Sequence, residues 1–125
     1  KMTQKKVDHY SDIVLKIGLD ESNIPVEIQW QAQDNPNPDG PQLCKAFLLS
    51  LFDETNKDTL KIDLWTSEMQ MIEMDRFMFQ TLRGLADTYL RATNNNKLFA
   101  EMQQFITYFG EQTEILPKDN SLSIE

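Results

Sequence analysis

The sequence predicts an α+β fold: a four-stranded antiparallel meander followed by two antiparallel helices packed on one sheet face, ββββαα. Three observations carry this. Between residues 10 and 65, apolar side chains recur at every second position in several short runs, the period of a half-buried strand. From residue 67 to residue 114 they recur at every third or fourth position, the period of a helix. All the strand-like runs precede the helical ones, without the alternation that builds parallel sheets. The chain has 125 residues, and one domain usually takes ~100–150. A single domain over residues 1–116 with a tail over residues 117–125 is therefore expected.

The elements follow in order. In residues 10–19, Ile13, Leu15, Ile17 and Leu19 share one face, with Asp12 and Lys16 on the other. Asp20-Glu21-Ser22-Asn23 is a turn cluster. In residues 24–33, Ile24, Val26, Ile28, Trp30 and Ala32 alternate with Glu27, Gln29, Gln31 and Gln33, so the two runs read as a hairpin. Pro25 suits an edge strand or the start of a strand. Residues 34–41, rich in Asn, Asp and Pro, form a surface loop. Residues 44–52 are almost continuously apolar, as in a central strand buried on both faces. Residues 53–58 turn, and residues 59–65 alternate again with Leu60, Ile62 and Leu64 inward.

Thr66 and Ser67 then start a helix, since Ser67 and Gln70 have the spacing of a capping box. Its apolar stripe is Met71, Met74, Met78, Leu82, Leu85, Ala86 and Tyr89. Asp87 precedes Arg91 by four residues, the favourable order for an ion pair worth ~0.3–0.5 kcal/mol. Residues 93–96 break the helix, and a second runs from about Lys97 to Glu114 with Leu98, Met102, Phe105, Ile106 and Phe109 inward. Leu122 and Ile124 are an apolar echo in the tail, which either docks as an extra strand or stays undocked.

Composition excludes several functions. Acids (20) exceed bases (12), for a net charge of -8. Phosphate backbones need a basic footprint, so nucleic acid is not an expected partner. One cysteine, Cys44, leaves no internal disulfide. One histidine, His9, leaves no site that needs two imidazoles. Nothing approaches the ~20 apolar residues of a membrane span, so direct insertion is not expected. The first twenty residues lack the apolar core of a signal peptide. Met2 is the expected natural start, with Lys1 carried over from expression.

Little catalytic chemistry is visible. Cys44 and His9 could form a nucleophile–base pair, but no orienting group or oxyanion site accompanies them, and free cysteines usually pack as small hydrophobes. Counted from Asn35, Asn37, Asp39 and Gly40 fall at the third, fifth and sixth places of a calcium loop. The first place is Asn rather than Asp and the twelfth is Ala46 rather than Glu. The glycines at 18, 40, 84 and 110 are too dispersed for a phosphate loop. No cofactor and no metal are expected, and the chain is not expected to be an enzyme.

Contact surfaces are the better expectation. Met69, Ile72 and Phe79 fall off the helix stripe and are candidates for exposed contact. If the inner sheet face packs on the helices, the back face collects Tyr10, Val14, Trp65 and half of the run 44–52. That half is either Leu48 and Phe52 or Phe47, Leu49 and Leu51. Such a face would be unusually apolar for a monomer. A one-residue bulge would invert the assignment.

The segment Leu60-Lys61-Ile62-Asp63-Leu64-Trp65-Thr66, with Glu73-Met74-Asp75-Arg76-Phe77, Gln80-Thr81-Leu82 and Leu85-Ala86-Asp87-Thr88 after it, resembles the GldC family of gliding motility-associated proteins. Residues 18–25, Ile28-Gln29-Trp30 and Tyr108-Phe109-Gly110-Glu111 are similar to the same family, so the resemblance spans residues 12–116. It implies a small accessory protein of bacterial gliding, a machinery linked to type IX secretion, with no catalytic activity and no established site residues. Asp63, Asp87 and Glu21 are shared polar positions that packing does not explain, which adds Asp63 and Asp87 to the candidate surface. The expected partners are protein components of the gliding machinery and, as a homo-oligomer, the chain itself. The expected location is the cytoplasm, or the inner-membrane periphery through a partner. The competing expectation is a small hydrophobic-ligand or chaperone-like binder, with a pocket lined by Met78, Leu82 and Trp30.

Overall fold

The computed structural model describes residues 5–35 and 40–118. The expectations for Met2, for Asn37 and Asp39, and for Leu122 and Ile124 lie outside the described residues. The element order is β1 (Ile13–Leu19), β2 (Pro25–Ala32), β3 (Gln42–Cys44), β4 (Ala46–Phe52), β5 (Thr59–Trp65), α1 (Met71–Thr93) and α2 (Asn96–Gln112). Strands precede helices and all strand pairs are antiparallel, which is α+β. The chain divides into two compact units between Met69 and Gln70.

The single four-stranded meander is not what forms. The strands make two sheets, one of β1, β2 and β3 and one of β4 and β5. The break lies at Lys45. Cys44 stands opposite Ile28 of β2, whereas Ala46 stands opposite Trp65 of β5. The apolar run therefore changes partner in mid-course. It is not buried on both faces either: Leu51 is 47% and Phe52 68% exposed.

The first hairpin follows the expected alternation over most of its length. Leu15 faces Trp30 and Ile17 faces Ile28 across the pair, and Ile28 is also opposite Cys44. This middle position leaves Ile28 fully buried. Nearer the turn, Gly18 faces Glu27 but Leu19 faces Pro25, so Val26 is an extra residue in β2. The bulge ends the common face that Ile24 and Val26 were expected to share with Ile28, and both are 45% exposed. Asp20 closes the turn because its Oδ1 accepts from the Ser22 and Ile24 N–H groups, at 2.7 and 3.0 Å.

The β4–β5 turn is built the same way. Asp53 Oδ2 accepts from the Thr55 and Asn56 N–H groups, at 3.1 and 2.6 Å. The register then puts Phe47, Leu49, Leu51, Leu60, Ile62 and Leu64 on one face. Leu48, Phe52, Lys61, Asp63 and Trp65 lie on the other, so Leu48 and Phe52 are the half of the run that shares a face with Trp65.

The first helix begins three residues later than the Ser67 spacing suggests, at Met71. Thr66 N–H donates to the Lys45 carbonyl at 2.8 Å and Ser67 N–H to the Pro25 carbonyl at 3.0 Å. These bonds hold residues 66–67 in the strand unit. The helix is capped instead at Gln70, whose N–H donates to Glu73 Oε1 at 3.0 Å. Asn94 ends α1 in the left-handed conformation, and Asn95 caps α2 by accepting from Leu98 N–H at 3.0 Å. Arg91 donates to Thr88 Oγ1 at 3.3 Å in place of the pair expected with Asp87. Both groups are exposed, where an ion pair has little to offer.

The helix pair packs along part of each stripe that periodicity indicates: Leu82 and Ala86 of α1 and Met102, Ile106 and Phe109 of α2 are in or against the core, as expected. Its core is Phe79, Ala86 and Ile106, flanked by Leu82, Phe99, Met102 and Phe109. Phe79 is therefore a core residue, 5% exposed, and not an exposed contact. Met71 and Leu85, expected inward, are 83% and 56% exposed, and Leu98 and Phe105 also face outward. Both helices carry apolar residues over a wide arc, so period alone does not choose the packing line. Gly110 does. A methyl group there would lie 2.7 Å from Phe79 Cε1 and from Leu116 Cδ1, so the missing side chain is the space the Phe79 ring occupies. Leu116 is drawn in by its N–H, which donates to the Gly110 carbonyl at 3.0 Å.

Two stability predictions follow from these positions. Ile28→Ala is expected to cost about 2–5 kcal/mol, because a fully buried side chain leaves a cavity. Gly110→Ala is expected to cost about 1–3 kcal/mol by overpacking. Urea unfolding checks both, with Met71→Ala, at an exposed position, as the neutral control.

Candidate functional site

The sequence indicates contact residues spread over the whole chain. The structure brings two of them together. β5 puts Asp63 and Trp65 on the same face, two residues apart, with Lys61 before them. Lys61 Nζ lies 3.5 Å from Asp63 Oδ2. Trp65 ends the strand and is 54% exposed. It is held there by the backbone on either side. Ala46 pairs opposite it, and the next residue, Thr66, is buried with its N–H on the Lys45 carbonyl.

Beside this strand end lies an open depression of about 300 Å³, lined by Ile24, Pro25, Asp63, Leu64, Trp65 and Ser67. The Ser67–Pro25 hydrogen bond forms one side of it. The lining is mostly apolar, with one carboxylate at its border. Such a shape suits an aromatic or aliphatic anchor from another protein, with Asp63 available to a donor. It is open to solvent, and Asp63 is the titratable side chain in its lining. Phe52, 68% exposed on the same face, lies apart from it at the other end of the hairpin, opposite Thr59. Sequence periodicity missed Ile24 and Pro25 as neighbours of Trp65. The bulge at Val26 and the Ser67–Pro25 bond, neither of which has a local signature, place them there.

The other candidates do not join this cluster. Tyr10 is 80% exposed before β1. Val14 borders a small space of about 30 Å³ with Lys16, Trp30 and Pro41. Met69 is half-buried at the end of the strand unit, while Ile72 and Asp87 are exposed on α1. Cys44 is a half-buried free thiol on β3. His9 Nδ1 pairs with the neighbouring Asp8 at 3.1 Å. Among the described residues, no three or more His, Cys, Asp or Glu side chains gather as a metal ion would need. No described helix is long and apolar enough to cross a membrane.

A family model described as gliding motility-associated protein GldC-like matches residues 25–115. The match runs from β2 through both helices and takes in the whole Asp63–Trp65 strand, leaving residues 12–24 outside. No curated protein and no solved structure matches the chain.

Trp65 and Trp30 are distinguishable in solution. Trp30 is half-buried opposite Leu15 and Gln42, whereas Trp65 is exposed. Trp65→Phe is expected to remove the red-shifted, acrylamide-quenched part of the fluorescence. It should leave unfolding stability within about 1 kcal/mol, as befits a surface change.

Proposed function

Because the chain belongs to the GldC-like family of gliding motility-associated proteins, we propose that it serves gliding as a non-enzymatic interaction module, docking a protein of the motility or type IX secretion machinery through the Asp63–Trp65 surface. The observation that carries this reading is the exposed Trp65 beside Asp63 and the apolar depression, within the matched segment. Exposed tryptophans next to apolar hollows are where binding energy concentrates at protein interfaces. The single cysteine and single histidine support a role without catalysis. The module acts in the cytoplasm, or at the inner-membrane periphery where its partner holds it.

The test is capture of the tagged chain from a gliding host after mild crosslinking, with partners identified by mass spectrometry. Wild-type protein is expected to enrich motility or secretion components over a mock control. Trp65→Ser with Asp63→Lys is expected to reduce that enrichment by about tenfold or more, equivalent to ~1.4 kcal/mol, while circular dichroism and the unfolding midpoint stay near wild type. Unchanged enrichment by the double variant would place the contact elsewhere. Failure of the wild type to enrich any such component would overturn the reading.

A further inference from the structure

We propose that two copies of this chain pair through the open edge of β4, antiparallel about a two-fold axis at Leu49. Among the described residues no strand adds to the other side of β4, since its sheet contains only β4 and β5. Natural edge strands carry charges, prolines, bulges or short lengths that discourage pairing. The open edge of β1 has Lys16, with the register shift between Gly18 and Leu19 at its end. That of β5 has Lys61 and Asp63 in mid-strand, and Ile24 and Pro25 border the depression at its end. β4, Ala46-Phe47-Leu48-Leu49-Ser50-Leu51-Phe52, spans seven residues with no charge, no proline and no shift of register.

The direction of the peptide groups makes this edge usable. The Lys45 carbonyl accepts from Thr66, and Asp53 N–H donates to the Asp58 carbonyl, both towards the β5 side. Peptide groups alternate along a strand, so the odd-numbered residues from 45 to 53 serve β5. Ala46, Leu48, Ser50 and Phe52 then point their N–H and C=O groups to the open edge. A second β4 meets these groups only when even-numbered residues face even-numbered residues. The register centred on Leu49 does this over the full strand: Ala46 opposite Phe52 of the second copy, Leu48 opposite its Ser50, and Leu49 opposite itself.

Charge chooses the occupant. The chain carries a net charge of -8, which works against self-association in general. In the Leu49 register, Lys45 of each copy stands opposite Asp53 of the other, so opposite charges flank the uncharged pairing at both ends. Asp53 already accepts from Thr55 and Asn56, and a carboxylate has further acceptor capacity. The joined sheet, ordered β5–β4–β4–β5, also carries the Phe47, Leu49 and Leu51 face of each copy across the axis. A two-fold contact uses the same edge of both copies and closes on itself, so it yields a dimer and not a fibre.

The test is sedimentation of the full chain over a range of concentrations, with hydrogen exchange on the same samples. A concentration-dependent dimer is expected, with the Leu48, Ser50 and Phe52 amides slowed as protein concentration rises and the Lys16 amide unchanged. Ser50→Pro removes an N–H that faces the open edge and leaves the N–H groups that face β5 in place. It is expected to raise the dimer dissociation constant by about tenfold or more without lowering the unfolding midpoint of the monomer appreciably. Lys45→Glu is expected to weaken the dimer most at low salt, where like charges would then face each other. A monomer at every concentration would overturn the proposal. So would a dimer whose β4 amides exchange as in the monomer, a readout that needs no variant to fold.

Discussion

Two backbone hydrogen bonds organise the strand unit. Thr66 gives its N–H to the Lys45 carbonyl and Ser67 gives its N–H to the Pro25 carbonyl. Together they tie the end of β5 to the point where the apolar run leaves β2 and to the point where β2 begins. Buried peptide groups must be paired, and these bonds provide pairing where both sheets stop. The split of one expected strand into β3 and β4, the burial of Thr66 and the late start of α1 share this cause.

The surface proposed for partner contact depends on the same corner. Alternation in β5 puts Lys61, Asp63 and Trp65 on one face irrespective of any tertiary contact. What turns this row into a site is the arrival of Ile24 and Pro25 beside it. That arrival needs both the extra residue at Val26 and the bond from Ser67. An exposed tryptophan on a strand is ordinary. The one at 65 is set beside an apolar hollow and a carboxylate, which is why the proposed contact is placed there.

The helical unit rests on a fit between a ring and a glycine. Phe79 fills the space that a side chain at 110 would take, with Leu116 closing the third side. Arg83 lies over the Phe79 ring at 5.7 Å and shields its outer side. Glu114 follows in the left-handed conformation, φ 64°, which turns the chain so that Ile115 and Leu116 reach the helix core. The C-terminal end of the match, at residue 115, thus falls within a packed turn and not in a loose tail.

Local residue patterns were enough to establish the kinds of element and their order. Period-two and period-four patterns, the Asp20 and Asp53 turns and the Asn94–Asn95 break are local, so the strand and helix positions were legible to within a few residues. Leu60-Lys61-Ile62-Asp63-Leu64-Trp65-Thr66 also made the family legible. Only tertiary structure decided which strands share a sheet, because a change of partner at Lys45 depends on residues some twenty positions away in either direction. It also decided which line of each helix is core. An apolar arc wider than the contact leaves several lines equivalent in period, and the Phe79–Gly110 fit selects one. The same reason separates the candidate residues: Phe79 is buried by a glycine thirty-one positions later, and Trp65 joins Pro25 through a bulge and a backbone bond that no repeat spacing encodes.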